Sequence, residues 1–513
     1  MAEIKAQHRF WYASTKVDKE TQEVKVTGVQ IDLLIFIEYL YSLGIRADKI
    51  QNNIIYYRLL NDTKILEMLE HEELAAIFLR EVSKLPDEVP AFNRYGEKLE
   101  SVFPSSWIRE KILKSIGYYF DKKKLSATLY NKQNLQMNED TARAKFVYFK
   151  NGFLEITSKA INFNKYSKLK GYVWSTEIID HVYKHDKDFN FVCVAQKFVY
   201  NVSGNDENRY ADLIKIIGYA AHNYTGGKLK AILFTDSALD ESGEPNGRSG
   251  KTLLTRLIGG LYTTNPLKRS SAEFVEINGK NFDPTNQFRY QSCSHNTRLI
   301  VLNDTKKYFN LEYLFNDITD GAQVEKKSMT PFYINAKMII NTNLTIDLSG
   351  SSKKDRVCMF EFSDYYNEKR SPADEFGGFF FTDWSAQELD SYYHYMAFCV
   401  QSWLQGPTLP QVAQINYAAR HLAEHTNEQF IEWSDKNIIT GQLYGKTEML
   451  EKIQKEITTL HKMSSKKFAM WIKTYNNAQP QKFAPWNADQ NESRENGSER
   501  MFKLIAANYN PLE

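Results

Sequence analysis

Between Ala231 and Gly260 the chain reads AILFTDSALDESGEPNGRSGKTLLTRLIGG, a set of residue types suited to holding a phosphate chain. An apolar run ends in Asp236, a glycine-containing loop follows, and Gly250-Lys251-Thr252 opens a second apolar segment. Backbone N–H groups of such a loop, and of the helix start after it, converge on phosphate oxygens. Lys251 can reach the β- and γ-phosphates of ATP, and the Thr252 hydroxyl suits Mg2+. Gly247 and Gly250 allow backbone angles and close approach that a Cβ would block. Arg248, Ser249 and Leu253 complete the nucleotide-binding segment. Pro245 stands where the common pattern has its first glycine, so the motif is a G-x-x-G-K-T variant. A plain glycine turn capping a helix is the bland alternative, and the flanking apolar segments weigh against it.

Two further apolar runs end in polar residues that could act on the same phosphate. LIVLND (299–304) ends in Asp304, a carboxylate placed to hold Mg2+ through water and to orient an attacking water. Asn303 precedes it, where many such enzymes carry a second acid. AKMIINTN (336–343) ends in Asn341 and Asn343, either of which could hydrogen-bond the γ-phosphate or the water, and Asn343 is the better candidate. For each, the competing reading is an Asp or Asn that merely opens a turn.

These side chains need strands that deliver them to one edge. AILFTD (231–236), FVEI (274–277), LIVLND and AKMIINTN are short apolar runs separated by helical stretches, which predicts a parallel α/β sheet with its ligand edge at the strand C-termini. NRYADLIKIIGYAAHNY (208–224) reads as a helix packed onto this core. Upstream, IIYYRLL (54–60) reads as a strand, ILEMLEHEELAAIFLREVSKL (65–85) as a helix and DKKKLS (121–126) as a basic loop. FVYFKNGFLEIT, GYVWSTEII and KFVYNVS, between about 145 and 203, read as strands. Beyond Pro407 and Pro410 the chain is polar and mostly helical. There SSKKFAMWIKTYNNA (464–478) has a Ser cap and an apolar face, and the stretch 476–498 reads as a long loop or a wing.

Composition sets the outer bounds. At 513 residues about three domains are expected, and the 14% aromatic content argues against long disorder. A net charge of +2 excludes a histone-like polycation, so any nucleic-acid grip must come from local patches. Cys193, Cys293, Cys358 and Cys399 stand alone, the shortest gap being the 41 residues between the last two. A zinc ribbon or disulfide framework is not expected, and a reducing cytoplasm fits. MAEIKAQHRFWY has no signal-peptide core, and the longest apolar stretch, Leu33 to Leu43, contains Glu38 and is too short to span a bilayer. No membrane association is expected.

Taken in order, GEPNGRSGKTLL (243–254), VEINGKNFDPTNQF (275–288), LIVLNDTKKYFNLEYLFNDITDGAQVEKK (299–327), MIINTN and FEFSDYYNEKRSPADEFGGFFFTDW (360–384) resemble a superfamily 3 helicase, specifically the phage and plasmid primase-helicase family related to poxvirus-type helicases. FKNGFLEIT and IGYAAHNY also fit, so the likeness runs from about 145 to 405. It implies an AAA+-like P-loop ATPase using ATP and Mg2+ and assembling as a homo-oligomeric ring, a hexamer, on single-stranded or forked DNA. It implies Lys251 and Thr252 at the nucleotide and metal, Asp304 as the acidic residue, Asn343 as the sensor and Arg356 as the finger supplied to a neighbouring subunit. It further implies a β-hairpin between the acidic and sensor strands, with Lys326 and Lys327 near its tip contacting DNA. Family members often have consecutive arginines where this chain has Lys353, Lys354, Asp355 and Arg356, and often small residues where this chain has Arg248.

The domain reading is an α+β N-terminal region (1–144), a collar-like segment (145–225), the ATPase (226–406) and a helical C-terminal region (407–513) that is a winged helix or a small lid. The first 145 residues show no paired acids on a strand and no zinc ligands, so a helicase without a primase is expected, with primase or other replication proteins as separate partners in the host cytoplasm. A nucleotide switch, or an initiator that assembles without unwinding, is the alternative.

Overall fold

The computed structural model describes residues 9–20, 23–50, 53–60, 64–130, 135–185, 193–237, 248–265, 271–306, 309–327, 329–346, 348, 351–495 and 499–507. The chain divides into two compact units. The first comprises Met1–Glu139, Tyr148–Phe153 and Asn164–Ile178; the second comprises Asp140–Val147, Leu154–Phe163 and Ile179–Glu513.

The first unit is α+β. An antiparallel pair, Trp11–Val17 with Val24–Ile31, and a four-stranded sheet built on Asn53–Leu59 enclose a core in which Phe10, Phe36, Tyr39, Phe78 and Phe120 meet ring to ring. The stretch expected to be one helix over 65–85 is divided. Ile65–Leu69 is a strand, paired antiparallel with Asn53–Leu59, and the helix runs His71–Val82. The Glu73 carboxylate accepts the Glu70 N–H at 2.7 Å and so marks the helix start. The expected basic loop at 121–126 is also helical. Asp121 caps Lys122–Thr128 by accepting the Lys124 N–H at 2.8 Å.

The second unit holds a five-stranded, wholly parallel sheet. Its strands are β1 (Ala231–Asp236), β2 (Phe274–Asn278), β3 (Leu299–Asn303), β4 (Lys337–Asn341) and β5 (Val357–Phe362), in the order β2-β3-β4-β1-β5. β1 is interior and buried at all six residues, which is why it is written almost entirely in apolar residues. The chain leaves β1 towards the far edge at β2 and later crosses back over it to reach β5. This reversal of direction puts the carboxyl end of β1 at the point where α/β sheets bind ligands. Helix α1 (Glu207–Ala221) packs against α3 (Ala386–Gln405), and α2 (Lys251–Gly259) follows β1. Gly218 of α1 lies so close to α3 that a Cβ there would collide with the Cys399 carbonyl.

KFVYNVS (197–203), expected to be a strand, is the last part of the helix Val194–Val202 and its Ser203 cap. Ala195, Phe198, Val199 and Val202 are buried at helical spacing, so packing overrides the β-preference of the sequence. β5 is a strand that the sequence pattern does not mark. In the C-terminal part, helices Glu428–Asn437, Lys446–Glu456 and Ser465–Asn477 combine with an antiparallel sheet in the order Leu443–Gly445, Glu499–Lys503, Glu492–Glu495. This is the helix–strand–helix–helix–strand–strand order of a winged helix. No helix among the described residues is long and apolar enough to cross a membrane.

Candidate functional site: a phosphate loop at the sheet's carboxyl edge

The loop after β1 is described from Arg248 onwards, and Gly247 lies outside the described residues. Gly250 precedes α2 with φ +99°, and a Cβ there would stand 2.8 Å from Phe198 Cζ. Glycine is therefore required both by the backbone turn and by the ring behind it. Lys251, the first residue of α2, is buried and forms an ion pair with Asp236 at 2.5 Å. Its ammonium also donates to Ser249 Oγ at 3.3 Å, and the Ser249 hydroxyl donates to the other oxygen of Asp236. Burial pushes the Lys251 ammonium below its ordinary range, while Asp236 and then Asp304 oppose that shift. A desolvated cation at a helix N-terminus, compensated by one carboxylate, is an anion site in waiting. Arg248, with φ +77°, points outward and pairs with Glu368 at 3.3 Å, and Leu253 is half-buried on α2.

Thr252 and Asp304 are both exposed. Asp304 follows β3 with φ +56°, which turns the chain at the strand end. A hydroxyl and a carboxylate are the oxygen donors that Mg2+ takes from a protein when phosphates and water complete its shell, so these residues fit that ion. Among the described residues no three His, Cys, Asp or Glu side chains gather as a metal site of their own.

Along the carboxyl edge the register aligns Asn278, Asn303 and Asn341 side by side on β2, β3 and β4. Asn341 Nδ2 donates to Asn303 Oδ1 at 2.6 Å, and the buried Asn341 Oδ1 has no partner among the described residues. Asn343 lies two residues beyond the strand, half-buried, and its carbonyl accepts from Arg420 Nη2 at 2.5 Å. The Asp317 carboxylate is committed to Arg289 at 3.0 Å and to the Tyr290 hydroxyl at 2.8 Å.

Arg420 belongs to helix α4 (Tyr417–His425), in the C-terminal part, and is fully buried. Besides Asn343 it reaches Thr235 Oγ1 on β1 at 3.4 Å and Glu424 at 3.2 Å. Glu424 in turn accepts from the Thr345 N–H and hydroxyl, each at 2.8 Å. The buried Glu361 carboxylate of β5 accepts the N–H groups of Ile415 at 2.6 Å and Asn416 at 3.2 Å, so it holds the entry to α4. Asn416 Nδ2 donates to the Ser237 carbonyl, one residue past β1, at 3.3 Å. Helix α4 is thus part of the edge that carries Gly250 and Lys251. Sequence reading missed Arg420 and Glu361. YAARHLAEH has only an amphipathic pattern, and nothing local marks its arginine.

Arg356 is elsewhere. It directly precedes β5, at the amino edge of the sheet, whereas Lys251 and Asp304 lie at the carboxyl edge. A six-residue strand spans about 20 Å, so Arg356 does not join Lys251 and Asp304. Its guanidinium rests over the Phe315 ring at 4.8 Å and donates to the Ser352 carbonyl at 3.2 Å. The hairpin expected between β3 and β4 is present, with Ala322–Val324 paired antiparallel to Phe332–Ile334. Lys326 and Lys327 lie in its turn. Lys327 is exposed and Lys326 half-buried; burial, and then the Lys326 charge, lower the His295 pKa.

No protein-family model matches this chain, and no curated protein matches it. Among solved structures the chain is similar to the apo NrS-1 C-terminal region (305–718), at 12% identity and a TM-score of 0.38, over 93% of this chain and 100% of that one. The A form of the apo NrS-1 C-terminal region matches at 14% identity and a TM-score of 0.37, over 91% and 99%. A JCV helicase with a bound thiazolopyridine-containing acetamide matches at 12% identity and a TM-score of 0.25, over 55% and 67%.

Proposed function

We propose that this protein is an ATP-dependent, ring-forming DNA helicase that translocates on single-stranded DNA during replication of a phage, plasmid or other mobile element. The observation that carries the reading is the buried Lys251–Asp236 pair at the start of α2, on the carboxyl edge of a parallel sheet. In this reading ATP phosphates enter beside Gly250 and the Lys251 ammonium exchanges Asp236 for a phosphate oxygen. Thr252 and Asp304 would hold Mg2+, which supplies charge neutralisation to the transferring phosphoryl group. Asp304 orients the attacking water, and Asn343, or Asn341 behind it, hydrogen-bonds the γ-phosphate. Arg356, at the opposite edge of the sheet, acts on a neighbour's nucleotide, as a ring with heterologous interfaces allows. Lys326 and Lys327 touch the DNA backbone, and Lys466 and Lys467, exposed on the helix Ser465–Asn477, offer a second grip.

The test is ATP hydrolysis with and without single-stranded DNA, alongside unwinding of a labelled fork. DNA-stimulated hydrolysis and unwinding are expected, with both abolished in Lys251→Ala. In Lys326→Ala/Lys327→Ala, basal hydrolysis should persist. Its single-strand binding should weaken, and the salt slope should fall by ~0.7 for each phosphate no longer neutralised. Hydrolysis indifferent to DNA, with no unwinding, would replace the helicase by a nucleotide switch.

A further inference from the structure

The first unit carries a surface that the nucleotide site does not use. Three short helices follow one another there: Ser106–Lys114, Ile116–Tyr119 and Lys122–Thr128. Ile108, Ile112, Tyr119, Phe120 and Leu125 point inward and belong to the aromatic core. The outer residues are of two kinds. Leu113, Ile116 and Tyr118 are apolar yet 49%, 39% and 58% exposed. Arg109, Lys114, Lys122 and Lys123 are exposed cations close by in the chain. Residues 105–130 hold six Lys and Arg against Glu110 and Asp121, a net charge of +4, whereas the whole chain carries +2. The remainder of the chain is therefore net negative, and this segment is a local concentration of positive charge.

Both acids are already occupied. Glu110 pairs with Lys114 at 3.3 Å, and Asp121 caps the third helix. Lys124 folds back over Tyr118, with Nζ 3.5 Å from the ring centroid and 2.8 Å from the Tyr118 carbonyl. The ring is braced by a cation yet remains largely open to solvent.

We propose that this surface binds single-stranded nucleic acid. The lysines would neutralise phosphates, and Tyr118, with Ile116 and Leu113 beside it, would take unstacked bases. Charge alone would serve any polyanion. The exposed ring, with Lys124 beside it, selects for bases, because the carboxylates of an acidic peptide offer no flat face to stack. A lipid surface favours an apolar face running along one helix, and here the apolar residues sit at the ends of helices nine and four residues long. The site goes beyond the proposed ring ATPase, since it lies in the first unit and its chemistry requires no nucleotide.

Anisotropy of fluorescein-labelled oligothymidylate with the full chain, without nucleotide and over a salt series, tests it. Tyr118→Ala should bind about tenfold more weakly with an unchanged salt slope, and Tyr118→Trp should retain binding. Lys122→Ala/Lys123→Ala should lower the slope by ~1.4, or ~0.7 for each phosphate released. DNA-free ATP hydrolysis should be unchanged in all three variants. Wild-type affinity and slope in both Tyr118→Ala and the double lysine variant would overturn the proposal. So would variants that no longer bind phosphatidylserine vesicles yet bind oligothymidylate as wild type does, which would assign the surface to membranes. If Lys251→Ala still hydrolyses ATP, the ring ATPase reading fails while this site is judged on the binding data alone.

Discussion

Arg420→Met is the most telling perturbation of the carboxyl edge. The guanidinium is fully buried and divides its donors among Asn343, Glu424 and Thr235. Removing one partner of a buried ion pair costs about 3–5 kcal/mol, because the other charge loses its compensation. Here Glu424 keeps two hydrogen bonds from Thr345, each at 2.8 Å, so its charge is not orphaned and the lower end applies. A destabilisation of about 3 kcal/mol is expected in urea unfolding followed by circular dichroism. Methionine fills most of the space, so the deficit is one of hydrogen bonds and not of volume. Adding Glu424→Gln removes the residual charge and should restore about 1 kcal/mol, a coupling that independent sites do not show. The same variant should reveal how α4 bears on turnover. Lys251 and its loop are intact, so KM for ATP should stay within about threefold. The Asn343 carbonyl loses its anchor, so kcat should fall more than about tenfold, which corresponds to ~1.4 kcal/mol of barrier. An unchanged kcat, stability within about 0.5 kcal/mol of wild type, or strict additivity with Glu424→Gln would refute the reasoning.

Asp304→Asn should retain ATP binding and lose more than about a hundredfold in turnover, measured by nucleotide fluorescence and phosphate release, since the role proposed for the carboxylate is on Mg2+ and water; persistent turnover would move that role to another acid. Arg356→Ala should bind nucleotide normally and hydrolyse poorly, and mixing it with Lys251→Ala subunits should partly restore hydrolysis, because in the proposed ring one mixed interface would join an intact loop to an intact finger. No rescue in confirmed mixed rings would argue against the trans role. Burial pushes His222 down to about 4 from its usual 6.5, despite Asp140 nearby. Between those values the unfolded chain binds the extra proton. The His222 contribution is therefore fully present above pH 6.5 and is lost as pH falls towards 4, by about 3 kcal/mol in all. His222→Gln should flatten the difference in unfolding free energy across that window, and a wild-type slope in the variant would exclude His222 as its source.

The strand Ala231–Asp236 and the helix Lys251–Gly259 were legible in the sequence alone. A parallel strand buried on both faces must be written in apolar residues, and the glycine-lysine that follows marks the turn into α2. β3 and β4 were legible for the same reason, the edge strand β2 from its apolar start, and the helix Ser465–Asn477 from its Ser464 cap, whose hydroxyl accepts the Lys467 N–H. The hairpin at 322–334 came from the family resemblance, since three-residue strands carry little pattern of their own. Tertiary structure decided the rest. Val194–Val202 is a helix despite its β-branched and aromatic residues, because one face is buried. Ile65–Leu69 is a strand because Asn53–Leu59 offers it a ladder. Asp236 becomes the partner of Lys251 only when β1 and α2 are folded against each other. Arg420 meets Thr235 across 185 residues of chain. A pairing over that distance leaves no periodicity, cap or turn residue to read; the packing of α4 on the sheet edge creates it.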